Sequence, residues 1–249
     1  MGHETLSPIA IHNTFRESFF GQKAAEITRW SHRQPASMTN KEWEHLLGAD
    51  MNDITHMQLM YGLTRFFIHH CETPPKSWKK GEVPKDAQFT PYEKRTFEIL
   101  AITHDWPEAI MGDKQLKDKN KHDDAEEAHL LFSLAYTIFP LPVFTESLER
   151  NAIVDASGNL NNQKTKIGRA FRVVEHLGYL RTCLIAKTKA NEILSKKISV
   201  NNEEDVLKSL NDMGTTVAGE EIEWLKKNGM EYPAVMRFFE IWGINIDKV

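Results

Sequence analysis

Residues 99–113 read ILAITHDWPEAIMGD and carry four groups suited to acid–base or metal chemistry. They are the imidazole of His104 and the carboxyl groups of Asp105, Glu108 and Asp113. An apolar helical run leads into the pair, so His104 can point inward, where an unpaired imidazole is costly. Pro107 has no amide hydrogen and disfavours helical geometry at Trp106, which predicts a helix end near residues 103–105 and a short new helix after it. Asp105 as N-cap with Glu108 at N3 would then form a capping box. That plain alternative accounts for two acids and leaves His104 and Asp113 unexplained. The chemistry that uses all four is a divalent-cation site. Such a site needs more than two ligands, drawn from histidine nitrogen and carboxylate oxygen, with a position open to water.

The remaining ligands are sought elsewhere in the chain. His56 interrupts an amphipathic helical pattern next to core-facing positions and is the third candidate. Glu175, between Val173-Val174 and Leu177, is the fourth; its alternative is a surface ion pair with Arg172, three residues earlier. Asp155, in a polar stretch, is a fallback. A second His-Asp dipeptide, His122-Asp123, lies in the charged run KDKNKHDDAEE and reads as solvated surface plus a helix cap. With this composition about half of one such pair arises by chance, so context has to separate the copies.

The elements that must position these groups are helical. Thr39–Glu42 and Thr90–Glu93 are capping boxes, the second with proline at the first helical position. Apolar residues recur at spacings of three and four over 53–70 and 167–189. Similar patterns cover 125–138, 203–210, 219–227 and 232–242, and alternating strand patterns are missing. The spacing predicts an all-α fold. Residues 72–89, with three prolines and several lysines, read as an exposed loop, and 152–166 as a polar, turn-rich one. No internal repeat is present, and residues 201–249 read as a C-terminal helical segment added to a domain spanning 1–200.

Composition sets bounds. The 249 residues suffice for a full core, and 41% apolar with 27% charged residues is ordinary for a globular protein. A formal charge of -4 offers no basic footprint for duplex nucleic acid or an anionic membrane. No apolar run is long enough to span a bilayer, and the N-terminus has no secretory pattern. Cys71 and Cys183 cannot make a disulfide framework and read as buried thiols, so a reduced, cytoplasmic setting is expected.

The set His56, His104-Asp105 and Glu175 resembles the H…HD…D ligand pattern of the HD-domain metal-dependent phosphohydrolases. HDWPEAIMGD is similar to the stretch that follows the HD pair in the bacterial 5′-deoxynucleotidase branch. That branch has a glutamate three residues after the Asp and a Gly-Asp whose acid lies five beyond it, here Glu108 and Gly112-Asp113. It also has an Arg-Trp pair ahead of the first metal histidine, here Arg29-Trp30, and VVEHLGYLRTCL resembles its last ligand helix. The matching runs cover roughly residues 27–181. Glu175 stands where the family has Asp, which moves the oxygen by about a bond length. The gap from Trp30 to His56 and the loop 72–89 are longer than the family's.

The resemblance implies a compact helical bundle of the HD type and a divalent cation held by His56, His104, Asp105 and Glu175, with Mn, Co, Mg, Fe and Zn not distinguished. It implies Glu108 as general acid or base and Asp113 orienting a sugar hydroxyl or the attacking water. Arg29 would hold phosphate, Trp30 would pack on the sugar or position Arg29, and the chain would form a homodimer. The activity implied is phosphate release from a nucleotide, a (deoxy)nucleoside 5′-monophosphate in the first instance. A dNTP triphosphohydrolase and a non-catalytic nucleotide-binding module stay open as alternatives.

Overall fold

A computed structural model describes residues 6–48, 51–79, 81–112, 121–139 and 148–245. The protein is all-α. No strand occurs among the described residues, where one isolated antiparallel bridge joins Thr28 to Asn52. The helices are α1 (Pro8–Glu17), α2 (Phe19–Ala24), α3 (Asn40–Leu47), α4 (Asp53–Glu72), α5 (Pro91–Thr103) and α6 (Glu108–Met111). Then come α7 (Lys121–Ile138), α8 (Leu148–Ser157), α9 (Lys166–Leu194), α10 (Glu203–Asn211), α11 (Ala218–Asn228) and α12 (Pro233–Ile241). No helix of the described residues is long and apolar enough to cross a membrane.

Contacts divide the chain into two compact units. The first comprises Met1–Arg29, Asn52–Thr64 and Phe89–Arg172, and the second Trp30–Met51, Arg65–Gln88 and Val173–Val249. Two of the five dividing points fall inside helices, one in α4 and one in α9. Residues 201–245 belong to the second unit.

In the first unit, α5 packs on α1 and α8, and α8 packs on α7. Ile11, Phe15, Phe97, Leu100, Leu131, Leu134 and Ile153 are buried there. Trp106, fully buried, stacks on Phe15 with ring centroids 4.4 Å apart and donates its indole N–H to the carbonyl of Ile102 at 3.0 Å. That anchor fixes the chain immediately after His104-Asp105. In the second unit Trp43, Leu47, Val206, Leu210, Leu225 and Phe239 are buried. Cys71 and Cys183 are free thiols buried in that unit, and burial raises both, Cys71 to about 12.

Both capping boxes form, with Thr39 and Thr90 accepting from the N3 amides and Glu42 and Glu93 returning to the cap amides. Among its described residues, the segment 73–89 is a non-helical connection apart from one 3-10 turn, Lys85–Ala87. The expected loop 152–166 is corrected in its first half, because α8 runs to Ser157 and buries Arg150, Ile153 and Ala156. Those three positions recur every third residue, so one face of a largely polar segment is drawn into the core. Asp155 lies on the exposed side, accepts a bond from the Tyr92 hydroxyl at 3.2 Å and is in neither three-ligand group among the described residues.

Candidate metal centre

Three stretches of the first unit converge on one buried cluster. The first is the chain entering the bridge at Thr28, which lays Arg29 beside the start of α4. Trp30, the next residue, has φ 60° and ψ 17°, a left-handed conformation rarely adopted by a bulky side chain and costing roughly 1–2 kcal/mol.

The second stretch is the first turn of α4. Asn52 caps this helix, its Oδ1 accepting from the Thr55 amide at 3.0 Å while its own amide donates to the Thr55 hydroxyl at 3.3 Å. The cap is thus supplied by Asn52, and the carboxyl group of Asp53 turns inward, fully buried. His56 follows one helical turn later on the same face and is also buried.

The third stretch is the break between α5 and α6. α5 ends at Thr103, and His104, Asp105 and Glu108 are all buried. The capping box considered for Asp105 and Glu108 does not form: α6 starts after Pro107 and has no side-chain cap. The two acids serve the cluster instead. Gly112, at φ 76°, ends α6 in a conformation suited to glycine. Asp113 lies outside the described residues.

The distances define what the cluster can do. His104 Nε2 is 3.1 Å from Asp105 Oδ1, and His56 Nε2 is 3.8 Å from Asp105 Oδ2. Donors held tetrahedrally around an ion at ~2.1 Å sit ~3.4 Å apart, so these spacings straddle the value a cation requires. His56, His104 and Asp105 form one group of three ligand atoms lying within 4.8 Å of one another, and Asp53, Asp105 and Glu108 form a second. Asp105 belongs to both. His104 Nδ1 lies 3.0 Å from the Ala101 carbonyl, an acceptor that holds the ring in place, and Nε2 is the nitrogen facing Asp105. His56 is held well below the usual histidine range, first by burial and then by the Arg29 charge, against the opposing pull of Asp105. It is therefore neutral at pH 7, the form that binds metal. The donor set fits a divalent cation in its chemistry and its spacing.

Arg29 is the structure's main addition to this picture. Its Nη1 donates to Asp105 Oδ2 at 2.7 Å and lies 3.4 Å from both Asp53 Oδ1 and Glu108 Oε2. The guanidinium, expected on phosphate, here spans three carboxyl groups. Asp53 is the member that sequence reasoning missed. Its signal was the i, i+3 spacing to His56, hidden because an acid in a first helical turn is ordinary dipole compensation.

Trp30 and Glu175 belong to the second unit. The Trp30 ring meets Tyr179 edge-on with centroids 6.0 Å apart. Glu175 is half-buried and is in neither three-ligand group among the described residues. Its neighbour His176 is buried, stacks on Trp224 and pairs with Glu221 at 2.5 Å. Comparison with protein-family models, with curated proteins and with solved structures finds no match to this chain.

Proposed function

We propose that this protein is a metal-dependent phosphohydrolase acting on a nucleotide, with a (deoxy)nucleoside 5′-monophosphate as first substrate. The observation that carries the reading is the burial of two imidazoles and a shared carboxylate, with ligand atoms within 4.8 Å, beside an acid and a guanidinium. The resemblance of HDWPEAIMGD to the 5′-deoxynucleotidase branch supplies the choice of substrate.

His56, His104 and Asp105 would hold the cation, which supplies Lewis acidity for phosphoryl chemistry when bound. Glu108 is the group to move a proton. It is buried four residues past His104 and lies 3.4 Å from Arg29, inside the cluster where a proton would be moved. Arg29 offers a planar fork of N–H donors that suits a phosphate dianion. Burial of all five side chains keeps bulk water from screening these charges.

The test is a panel of nucleoside mono- and triphosphates against Mn²⁺, Co²⁺ and Mg²⁺, scored for released phosphate. Release from a monophosphate that His104→Ala abolishes is the expected result. Triphosphate as product would reassign the substrate, and tight binding of nucleotide and metal without any turnover would leave a binding module.

A further inference from the structure

The centre's two three-ligand groups meet at one side chain, Asp105, and the structure seats a side-chain cation on it. Arg29 Nη1 is 2.7 Å from Asp105 Oδ2, and that same oxygen is the nearer one to His56 Nε2 at 3.8 Å. A divalent ion bound between His56, His104 and Asp105 would draw on the carboxylate that the guanidinium already holds. Two cations at such range repel, and burial sharpens the repulsion, because both are shielded from bulk water. Arg29 cannot keep its shortest contact and leave the metal site undisturbed.

Two other carboxyl groups are within reach of the same nitrogen. Asp53 Oδ1 and Glu108 Oε2 both lie at 3.4 Å. Asp53 is fully buried at the start of α4, on the same helical face as His56, and the Asn52 cap frees it from capping duty. Its placement gives Arg29 a resting partner distinct from the proposed metal ligands.

We propose that Arg29 and the divalent cation compete for Asp105, and that Asp53 is a positioning residue that retains the guanidinium in the site when Asp105 turns to the metal. This rests on the metal reading above but not on the hydrolytic one. Without metal, Arg29 holds the ligand shell together. With metal, it shifts its weight to Asp53 and Glu108, where it stays available for an incoming phosphate. The centre thus carries its own placeholder cation, and the placeholder lowers apparent metal affinity.

The experiment is calorimetric titration of the nucleotide-free protein with Mn²⁺, with the melting temperature recorded for every variant. Arg29→Gln is expected to bind Mn²⁺ about tenfold more tightly than the natural protein. Arg29→Lys keeps a buried charge on a shorter reach and should bind about twofold to threefold more tightly; it serves if the Arg29→Gln variant fails to fold. Asp53→Asn should weaken Mn²⁺ binding. The loss should be at least about threefold larger with Arg29 intact than in combination with Arg29→Gln, because only the guanidinium presses back on Asp105. A merely structural Asp53 would lower the melting temperature and give equal, additive changes in both backgrounds.

Unchanged or weaker Mn²⁺ binding in the folded Arg29 variants overturns the competition, and strict additivity overturns the role of Asp53. If the natural protein releases phosphate while Arg29→Gln binds Mn²⁺ no more tightly, competition fails and the hydrolase reading stands. If no nucleotide is hydrolysed while Arg29→Gln binds more tightly, the hydrolase reading fails and competition stands.

Discussion

The chain contains the dipeptide His-Asp twice, and the first unit places the two copies in unlike surroundings. His104 and Asp105 are both buried at the break between α5 and α6, joined to His56 and Arg29. His122 and Asp123 lie in the first turn of α7, with His122 exposed and Asp123 buried. The same two residue types thus build a ligand cluster in one place and split between solvent and interior in the other. Helical geometry is the reason. In the first turn of α7, adjacent side chains diverge by about 100° around the axis and cannot face one site. At the end of α5, His104 Nε2 and Asp105 Oδ1 nevertheless lie 3.1 Å apart, and Trp106, anchored on Phe15 and on the Ile102 carbonyl, fixes the chain that follows them.

The comparison can be broken by substitution. Asp105→Asn removes the ligand common to both groups and also the closest partner of Arg29. It is expected to abolish Mn²⁺ binding and phosphate release, a loss larger than the ~10–100-fold typical of an outer-shell partner. A variant that keeps half the metal affinity would remove Asp105 from the centre. Glu108→Gln keeps the shape and loses the proton acceptor. Turnover, read from initial rates at saturating metal, should fall roughly 10²–10⁴-fold, while Mn²⁺ affinity falls only about threefold, as expected where Arg29 loses one of its two alternative partners. An equal loss in both measurements would make Glu108 a ligand and not an acid–base group.

Stability tests the scaffold behind the first copy. Trp106→Ala empties a fully buried site against Phe15 and should cost about 3–5 kcal/mol of unfolding free energy, measured in denaturant. A loss under ~1 kcal/mol would mean that the turn after Asp105 is held by something else.

Much of the helical frame was legible because its signals are local. The capping boxes at Thr39 and Thr90 each need four residues, and the long periodic runs became α4 and α9. The failure at α8 was one of placement: the apolar residues Ala152, Ile153, Val154 and Ala156 lead directly into the polar, turn-rich run 157–166, which dominates the segment. At the centre, His56, His104 and Asp105 were readable from type and placement, and the structure brings them together. The hold of Arg29 on Asp53 and Asp105 was not. It depends on a single bridge, Thr28 to Asn52, between segments 24 residues apart, and pairing of that kind leaves no periodic trace.

Histidine titration gives the smallest effects and sharpens the contrast further. His12, packed in α1, is held down to about 4, by burial first and by the Arg16 charge second. His56 is held low in the same direction. For both, the unfolded chain takes a proton near pH 6.5 that the folded chain refuses. Below that pH the unfolded state binds more protons, so stability should fall as pH drops from about 6.5 towards 4. Melting curves of metal-free protein over that range should show the decline, and His12→Asn should flatten it, because asparagine has no proton to gain. A parallel slope in that variant would show that His12 takes up its proton in the folded state. His122→Ala should leave the metal affinity and the rate within about twofold of the natural protein, since its exposed imidazole is in neither three-ligand group among the described residues. A large change at His122 would mean that exposure at α7 does not separate the two copies, and the division between a ligand pair and a surface pair would fail at its weaker end.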